Sequence, residues 1–153
     1  MMKIIADSSA NISALEGVCF QSIPMTIRAG EREFVDDGTL DTAKMLDYLA
    51  SYNGKSGTAC PGLDAWLQAF SGADEIFVVT ITGALSGTCA SAVAARDLYL
   101  QSHPEARIHV FDSLSTGPEM LLLIEKLADL IREGKSFDEI CKAGQNYLAS
   151  THL

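Results

Sequence analysis

An uninterrupted apolar run, Ile76-Phe77-Val78-Val79, leads into a segment of small and polar residues, 80–88, and then into the helical segment Ala90 to Leu100. A run without polar alternation predicts a strand that is covered on both faces. A buried strand followed directly by a helix is typical of a parallel sheet with crossover helices. This segment therefore predicts an α/β fold with residues 76–81 inside the sheet.

The rest of the chain alternates in the same way. Further strands are predicted at Lys3 to Ala6, Phe20 to Ile27 and Ile108 to Phe111, with Pro24 indicating an edge or irregular position for the second of these. Apolar residues at helical spacing predict helices that carry Met45 and Leu49, span Leu63 to Phe70, 88–100 and 118–132, and begin at Ser136. We therefore predict a parallel β-sheet of about four strands with helices on both faces.

Composition limits the function classes. The 153 residues, of which 48% are apolar and 20% are charged, predict one globular domain over 1–153. A net charge of −9 argues against nucleic acid or an anionic membrane surface as partner. No segment has the pattern of a signal peptide or a membrane span, and the four scattered cysteines read as reduced thiols, so we expect a cytoplasmic protein.

The junction of strand and helix at 80–88 predicts an anion site. A helix N-terminus presents unpaired backbone N–H groups and the positive end of the helix dipole, and hydroxyls of Ser86 and Thr88 lie at the same place. Such a site needs no lysine, arginine or metal. The alternative is that Ser86 is only an N-cap, the ordinary role of a serine before a helix.

Polar clusters follow three of the predicted strands, and the carboxyl ends of parallel strands share one edge of the sheet. These clusters predict a hydroxyl-rich pocket rim beside the anion site. The alternative is that these residues only form turns. The candidate rim residues are Asp7, Ser8, Ser9, Asp112 and Ser113.

Several kinds of site are unsupported. No glycine-rich nucleotide motif is present, the cysteines lack metal-ligand spacing, and Asp36-Asp37 reads as a turn, so we predict neither a metal nor another cofactor. An acyl-transfer or hydrolytic enzyme with Ser86 as nucleophile would need a base. The candidates for that base are His103, His109 and His152, none of which belongs to an obvious triad.

Four segments together resemble the DegV family of bacterial fatty-acid-binding proteins. Asp7-Ser8-Ser9 is similar to the family's opening Asp-Ser-Thr/Ser, and Thr58-Ala59-Cys60-Pro61-Gly62 to its Thr-Ser-Gln-Pro-Ser loop. Leu85-Ser86-Gly87-Thr88, with Ser91-Ala92 after it, resembles Leu-Ser-Gly-Thr-x-x-Ser-Ala. Val110-Phe111-Asp112-Ser113, a long apolar helix and Glu133-Gly134-Lys135-Ser136 complete the order.

The resemblance implies a DegV-like N-terminal lobe that binds the carboxylate of a long-chain fatty acid. It implies a carrier that presents the fatty acid to a fatty-acid kinase and is not itself an enzyme. This sequence departs from the family at Ala59, Cys60 and Gly62, so fewer hydroxyls remain in that loop. The implied carboxylate-binding residues are Thr58, Ser86, Gly87 and Thr88.

The resemblance covers only the first of the family's two lobes, so we expect the second lobe to be absent. A lobe that normally faces a second one should expose apolar surface, which predicts a homodimer of the truncated chain and poor affinity for free fatty acid. The alternative is a protein-interaction domain without a lipid role, in which the anion site is vestigial.

Overall fold

The computed structural model describes residues 1–151; His152, considered above as a base, lies outside the described residues. The strands are β1 (Met2–Asp7), β2 (Cys19–Ile23), β3 (Thr26–Ala29), β4 (Arg32–Val35), β5 (Ser56–Ala59), β6 (Glu75–Thr80) and β7 (Arg107–Asp112). The helices are α1 (Thr42–Ser51), α2 (Leu63–Phe70), α3 (Thr88–Ser102), α4 (Gly117–Arg132) and α5 (Phe137–Thr151).

The larger sheet has the order β2-β1-β6-β7, and every neighbouring pair is parallel. In its register Ala6 pairs with Val79 and Thr80 pairs with Asp112. The carboxyl ends of β1, β6 and β7 therefore meet at one edge. The predicted parallel sheet of four strands is confirmed, and so is the edge position of the strand before Pro24.

Helices cover both faces of this sheet, as predicted. On one face α4 and α5 bury a core that includes Phe77, Phe111 and Leu123, and on the other α2 and α3 bury Trp66 and Phe70. Each apolar strand contributes alternate residues to the two cores. The indole N–H of Trp66 is buried and makes no hydrogen bond within the described part of the chain.

One contact in the first core depends on a glycine. A Cβ on Gly144 in α5 would stand 2.7 Å from the ring of Phe111 in β7, which is far inside van der Waals contact. The absence of a side chain at this position lets α5 lie close to the sheet. Gly144 is therefore part of how the sequence fixes the distance between helix and strand.

A second, smaller sheet corrects the sequence analysis. The segment Phe20 to Ile27, predicted as one extended piece, forms two strands, β2 and β3, that belong to different sheets. The chain breaks at Pro24, which has no N–H for a ladder, and the N–H of Met25 donates to Ser8 Oγ at 3.0 Å instead. Thr58, predicted in a loop, lies in β5.

The smaller sheet is antiparallel, with the order β4-β3-β5. Gly30, at φ +62°, adopts the left-handed conformation of the tight turn between β3 and β4. Across that hairpin Arg28 Nε lies 2.8 Å from Glu33 Oε1, and both side chains are exposed. These strands are four residues long and Ala29 is the only buried residue among them, so they carry little apolar periodicity, and the sequence pattern did not reveal this sheet.

Side chains cap the first turns of two helices. Asp41 Oδ1 accepts the N–H of Lys44 at the start of α1, the usual role of an N-cap aspartate. At the start of α5, Ser136 and Glu139 form a capping box, with the Ser136 N–H donating to Glu139 at 2.8 Å. No helix within residues 1–151 is both long enough and apolar enough to cross a bilayer.

Candidate functional site

The site lies at the carboxyl edge of the larger sheet, where the loop between β6 and α3 is held by its neighbours. The backbone N–H groups of residues 81–83 donate hydrogen bonds to Asp7, Asp112 and the carbonyl of Ser115. Asp7 is the last residue of β1, Asp112 is the last residue of β7 and Ser115 follows it, so three strand ends are joined. The predicted polar edge is therefore a connected network around the start of α3.

Ser86 and Thr88 lie at that start, with their hydroxyl oxygens 2.8 Å apart. Ser86 Oγ also accepts the Thr88 N–H at 3.2 Å, so Ser86 caps the helix from one position before the cap residue Gly87. Ser86 is half-buried, whereas Thr88 is completely buried. Ser86 can therefore give its proton to an incoming acceptor, while Thr88 acts on a ligand only through Ser86.

Backbone N–H groups remain unused at the same point. Within the described residues, the N–H groups of Gly87, Cys89 and Ala90 donate to no acceptor. They head a helix of 15 residues, whose dipole places partial positive charge there. Burial raises the pKa of the Cys89 thiol, so the thiol adds no negative charge at neutral pH. The arrangement suits a small anionic group.

The segment that follows Thr58 packs against this helix end. Cys60 Sγ lies 3.5 Å from the position that a Gly87 Cβ would take, and Ser91 Oγ donates to the carbonyl of Pro61 at 2.9 Å. Thr58 itself is exposed at the end of β5. The pairing of Thr58 with Ser86 on one carboxylate stays a prediction, now with both residues on adjoining segments.

The candidate rim residues are less accessible than a rim requires. Three of them, Asp7 (0% exposed), Ser8 (7%) and Ser113 (1%), are buried because their side chains hydrogen-bond to nearby backbone. Ser9 and Asp112 are half-buried. Of these three side chains, only that of Ser113 binds local turn backbone alone, because Asp7 and Ser8 bind the distant N–H groups of Ile81 and Met25.

Two surface cavities border this edge of the sheet. Ser8 contributes to one of about 310 Å³, together with Asn11, Asp36 and Asp37. A depression of about 390 Å³ includes Asp112 in its lining, along with Leu114 and Leu148. Neither cavity is lined by Thr58 or by residues 86–88, so the anion site opens onto a different part of the surface.

Burial raises the pKa of Asp7, and hydrogen bonds from Ser9 and from the Ile81 N–H oppose that rise only in part. The pKa of this carboxyl group therefore lies above the usual value for an aspartate. Among residues 1–151, no group of three or more His, Cys, Asp or Glu side chains is arranged to hold a metal ion.

The histidines that the structure describes lie away from Ser86. His103 stacks on Tyr99 at the far end of α3, about 22 Å along the helix axis from its first residue. His109, in β7, is hydrogen-bonded to Gln145 of α5. Within residues 1–151, Ser86 Oγ is hydrogen-bonded to the hydroxyl and the N–H of Thr88, and no histidine is among its partners.

A comparison with protein families supports the resemblance that the four sequence segments carry. The family model described as "Uncharacterised protein, DegV family" matches residues 1–153. The chain belongs to the DegV family. As a DegV protein it has curated relatives such as the DegV domain-containing protein spr0652 of Streptococcus pneumoniae, which is 46% identical over 155 residues. That match covers 99% of this chain and 55% of the relative, so the chain spans about half the length of the relatives it matches.

Solved structures of other DegV proteins superpose closely. A DegV family protein from Eubacterium eligens, loaded with heptadecanoic acid, is 51% identical with a TM-score of 0.95 over 97% of this chain and 54% of that one. The Streptococcus pneumoniae Fatty Acid Kinase (Fak) B3 protein, loaded with linoleic acid, is 45% identical with a TM-score of 0.92 over the same shares. The α/β fold of this chain is that of proteins that bind fatty acids.

Sequence reasoning overlooked how the loop 81–83 is held. It treated Asp7 and Asp112 as rim residues and gave Gly83 no role, although Gly83 donates to the Asp112 carboxylate at 3.1 Å. The available signal was an aspartate at the end of each strand that flanks β6, in register with its last residues. A side-chain acceptor at such a position commonly binds the backbone of the neighbouring loop.

Proposed function

We propose that this chain binds a long-chain fatty acid and holds its carboxylate at the N-terminus of α3. The observation that carries the proposal is the set of unpaired N–H groups at Gly87, Cys89 and Ala90 beside the Ser86 hydroxyl. A carboxylate accepts several such bonds at once, and bonds to a charged acceptor are stronger than neutral ones. Thr88 supports Ser86 from behind, and Thr58 supplies a second hydroxyl from the adjoining segment.

The fatty-acid complexes of the two similar DegV structures support this choice of ligand. We propose further that residues 1–153 form the first of two lobes, because the match covers about half of each of those structures. Most of the acyl chain is then covered by the other lobe. Self-association of this chain alone stays a prediction that light scattering can test.

A carrier role follows from the same geometry. Among the described residues, Ser86 Oγ contacts only Thr88, and its half-buried hydroxyl is free to donate a hydrogen bond to an anion. The kinase name of one similar protein supports presentation of the bound carboxylate to a fatty-acid kinase. On this proposal the chain delivers the substrate, and the phosphoryl transfer takes place on a partner enzyme.

Decanoate titration of ¹⁵N-labelled chain, followed by amide shifts, tests the site. We expect the amides of Gly87, Cys89 and Ala90 to move most. Ser86→Ala should weaken binding by about 1–3 kcal/mol, because a hydrogen bond to a charged group is lost. Ser102→Ala, at the opposite end of α3, is the control. If Ser86→Ala and wild type agree within about 0.3 kcal/mol, well below the value of one such bond, Ser86 is only a cap.

Thiol alkylation provides a second readout. Cys60 and Cys19 are both exposed, but only Cys60 lies beside Gly87. Bound decanoate should slow the alkylation of Cys60 and leave the alkylation of Cys19 unchanged. Equal rates at Cys60 with and without decanoate, under conditions where the amide shifts are saturated, would place the ligand elsewhere.

A further inference from the structure

Three consecutive backbone N–H groups after β6 are bound by other parts of the chain. The N–H of Ile81 donates to Asp7 Oδ2 at 2.7 Å, and that of Gly83 donates to both oxygens of Asp112 at 3.1 Å. Between them, the N–H of Thr82 donates at 2.9 Å to a carbonyl in the loop after β7. Each residue of the segment 81–83 therefore donates a backbone hydrogen bond to a part of the chain that is distant in sequence.

Asp7 joins the ends of two adjacent strands with one carboxylate. Its Oδ1 accepts the N–H of Ser9 at 3.1 Å, in the turn that follows β1, while Oδ2 accepts the N–H of Ile81 after β6. The side chain is completely buried, so both bonds are shielded from water. A buried carboxylate is retained at such a position only when its oxygens are satisfied, as these are.

Asp112 binds the same loop from the β7 side, and Gly83 leaves room for its carboxylate. Asp112 Oδ1 also accepts the N–H of Leu114 at 3.0 Å, which stabilises the left-handed backbone of that residue at φ +55°. A Cβ on Gly83 would stand 2.9 Å from Asp112 Oδ2. With glycine at 83 the carboxylate approaches the Gly83 N–H without displacement, whereas any Cβ there would push this oxygen aside.

These contacts reach Ser86 through Thr82. The Thr82 carbonyl accepts the N–H groups of Leu85 and Ser86, each at 3.2 Å, and Thr82 Oγ1 accepts the N–H of Ala84 at 3.3 Å. The two residues that flank Thr82 are the ones held by the carboxylates. The position of the Ser86 backbone is thus set by Asp7 and Asp112, neither of which is hydrogen-bonded to it.

We propose that Asp7 and Asp112 are positioning residues, which fix the loop 81–86 so that Ser86 and the N–H groups behind it face an anionic head group. The proposal rests on the function proposed above and deepens it. Both aspartates are acceptors and carry no proton to give to a carboxylate when ionised, so direct contact with the ligand would be repulsive. Their effect on binding is transmitted by the backbone of the loop.

The test compares three variants of the labelled chain with decanoate as the probe. Asp112→Ala removes the acceptor, Gly83→Ala displaces it while keeping both aspartates, and Asp112→Asn keeps one acceptor oxygen. We expect decanoate to bind about tenfold more weakly to the first two, the order of one hydrogen bond to a charged group, and Asp112→Asn to recover part of the loss. Asp41→Ala, which removes the cap of α1, is the control and should bind as wild type does.

Hydrogen exchange without ligand provides a readout that is independent of binding. In Asp112→Ala and Gly83→Ala the amides of Leu85 and Ser86 should exchange faster, while that of Val78, in the core of β6, should not change. The proposal is overturned if these exchange rates and the decanoate affinity both equal those of wild type in the folded variants. Failure of wild type to bind decanoate, with faster exchange at Ser86 in the variants, would overturn the proposed ligand and support the positioning role.

Discussion

The carboxyl edge of the larger sheet and the small antiparallel sheet contribute to the same candidate site but are built differently. The edge is held by hydrogen bonds between segments far apart in sequence, such as that from Ile81 to Asp7, and the Asp7 carboxylate is buried. In the small sheet two strands are neighbours in sequence, and residues such as Arg28, Glu33 and Thr58 are exposed. Ser86 therefore lies on a loop that is held by buried side chains, and Thr58 lies on an exposed sheet that we expect to contribute less to stability.

The largest difference between the two regions should appear in core truncations. Phe77→Ala in β6 should lower the free energy of unfolding by about 3–5 kcal/mol, because Phe77 is fully buried and stacks on Phe137 with ring centroids 4.9 Å apart. Phe34→Ala in β4 should cost only about 1 kcal/mol, because the side chain is half-buried. Urea denaturation measures both. Equal losses of unfolding free energy in the two variants would contradict the difference that we expect between the two sheets.

A smaller but still clear loss is expected where α5 approaches the sheet. Gly144→Ala should destabilise the fold by about 1–3 kcal/mol, although alanine is the better helix former, because the added methyl group overlaps the Phe111 ring. Gly62→Ala before α2 is the control, since nothing lies within 4 Å of the added methyl group. Thermal denaturation should give a lower Tm for Gly144→Ala than for Gly62→Ala. A stabilised Gly144→Ala would show that Phe111 can move aside.

The pH dependence of stability sharpens the role of the buried carboxylate. Because the pKa of Asp7 is raised in the folded state above its usual value of 3.8, Asp7 adds stability below that usual value and loses it as pH rises through the folded-state pKa. The stability of wild type relative to Asp7→Asn should therefore fall from acid to neutral pH. Urea titrations at a series of pH values measure it, and a difference that rises with pH would contradict the raised pKa.

The smallest effect is expected at the hairpin of the small sheet. Glu33→Gln removes the ion pair with Arg28, whose charged atoms lie 2.8 Å apart but are exposed. Such pairs contribute about 0–1 kcal/mol and are screened by salt. The variant should lose less than about 0.5 kcal/mol at low ionic strength and nothing measurable in 1 M salt. A larger loss that persists in salt would mean that this sheet is more cooperative than its exposure indicates.

What could be predicted from the sequence follows the same division. Fully apolar runs such as 76–79 and the regular spacing of Met120, Leu123 and Leu127 identify buried strands and helices, because burial selects residue type strongly. The strands 26–29, 32–35 and 56–59 are four residues long, and Ala29 is the only buried residue among them, so local sequence carried little of that signal. Their pairing is set by tertiary contacts.

The candidate site divides in the same manner. The start of α3 at Ser86, where we propose an anion site, was predictable, because a strand, a short polar loop and a helix specify it locally. The roles of Asp7 and Asp112 were not, because each depends on which strands become neighbours of β6 and in what register. A pattern of residues indicates an edge, but only the topology decides which side chain reaches which N–H.

The single tryptophan makes the fluorescence of the protein sensitive to one face of the larger sheet. Trp66 projects from α2 into the core on that side of the sheet, and its buried indole N–H makes no hydrogen bond among the described residues. An indole in such dry surroundings emits at short wavelength, so the fluorescence of the native chain reports on one face of the sheet. The opposite face contains no indole, and a disturbance confined there, as around Gly144, should leave the emission colour unchanged while the ellipticity of the aromatic bands alters.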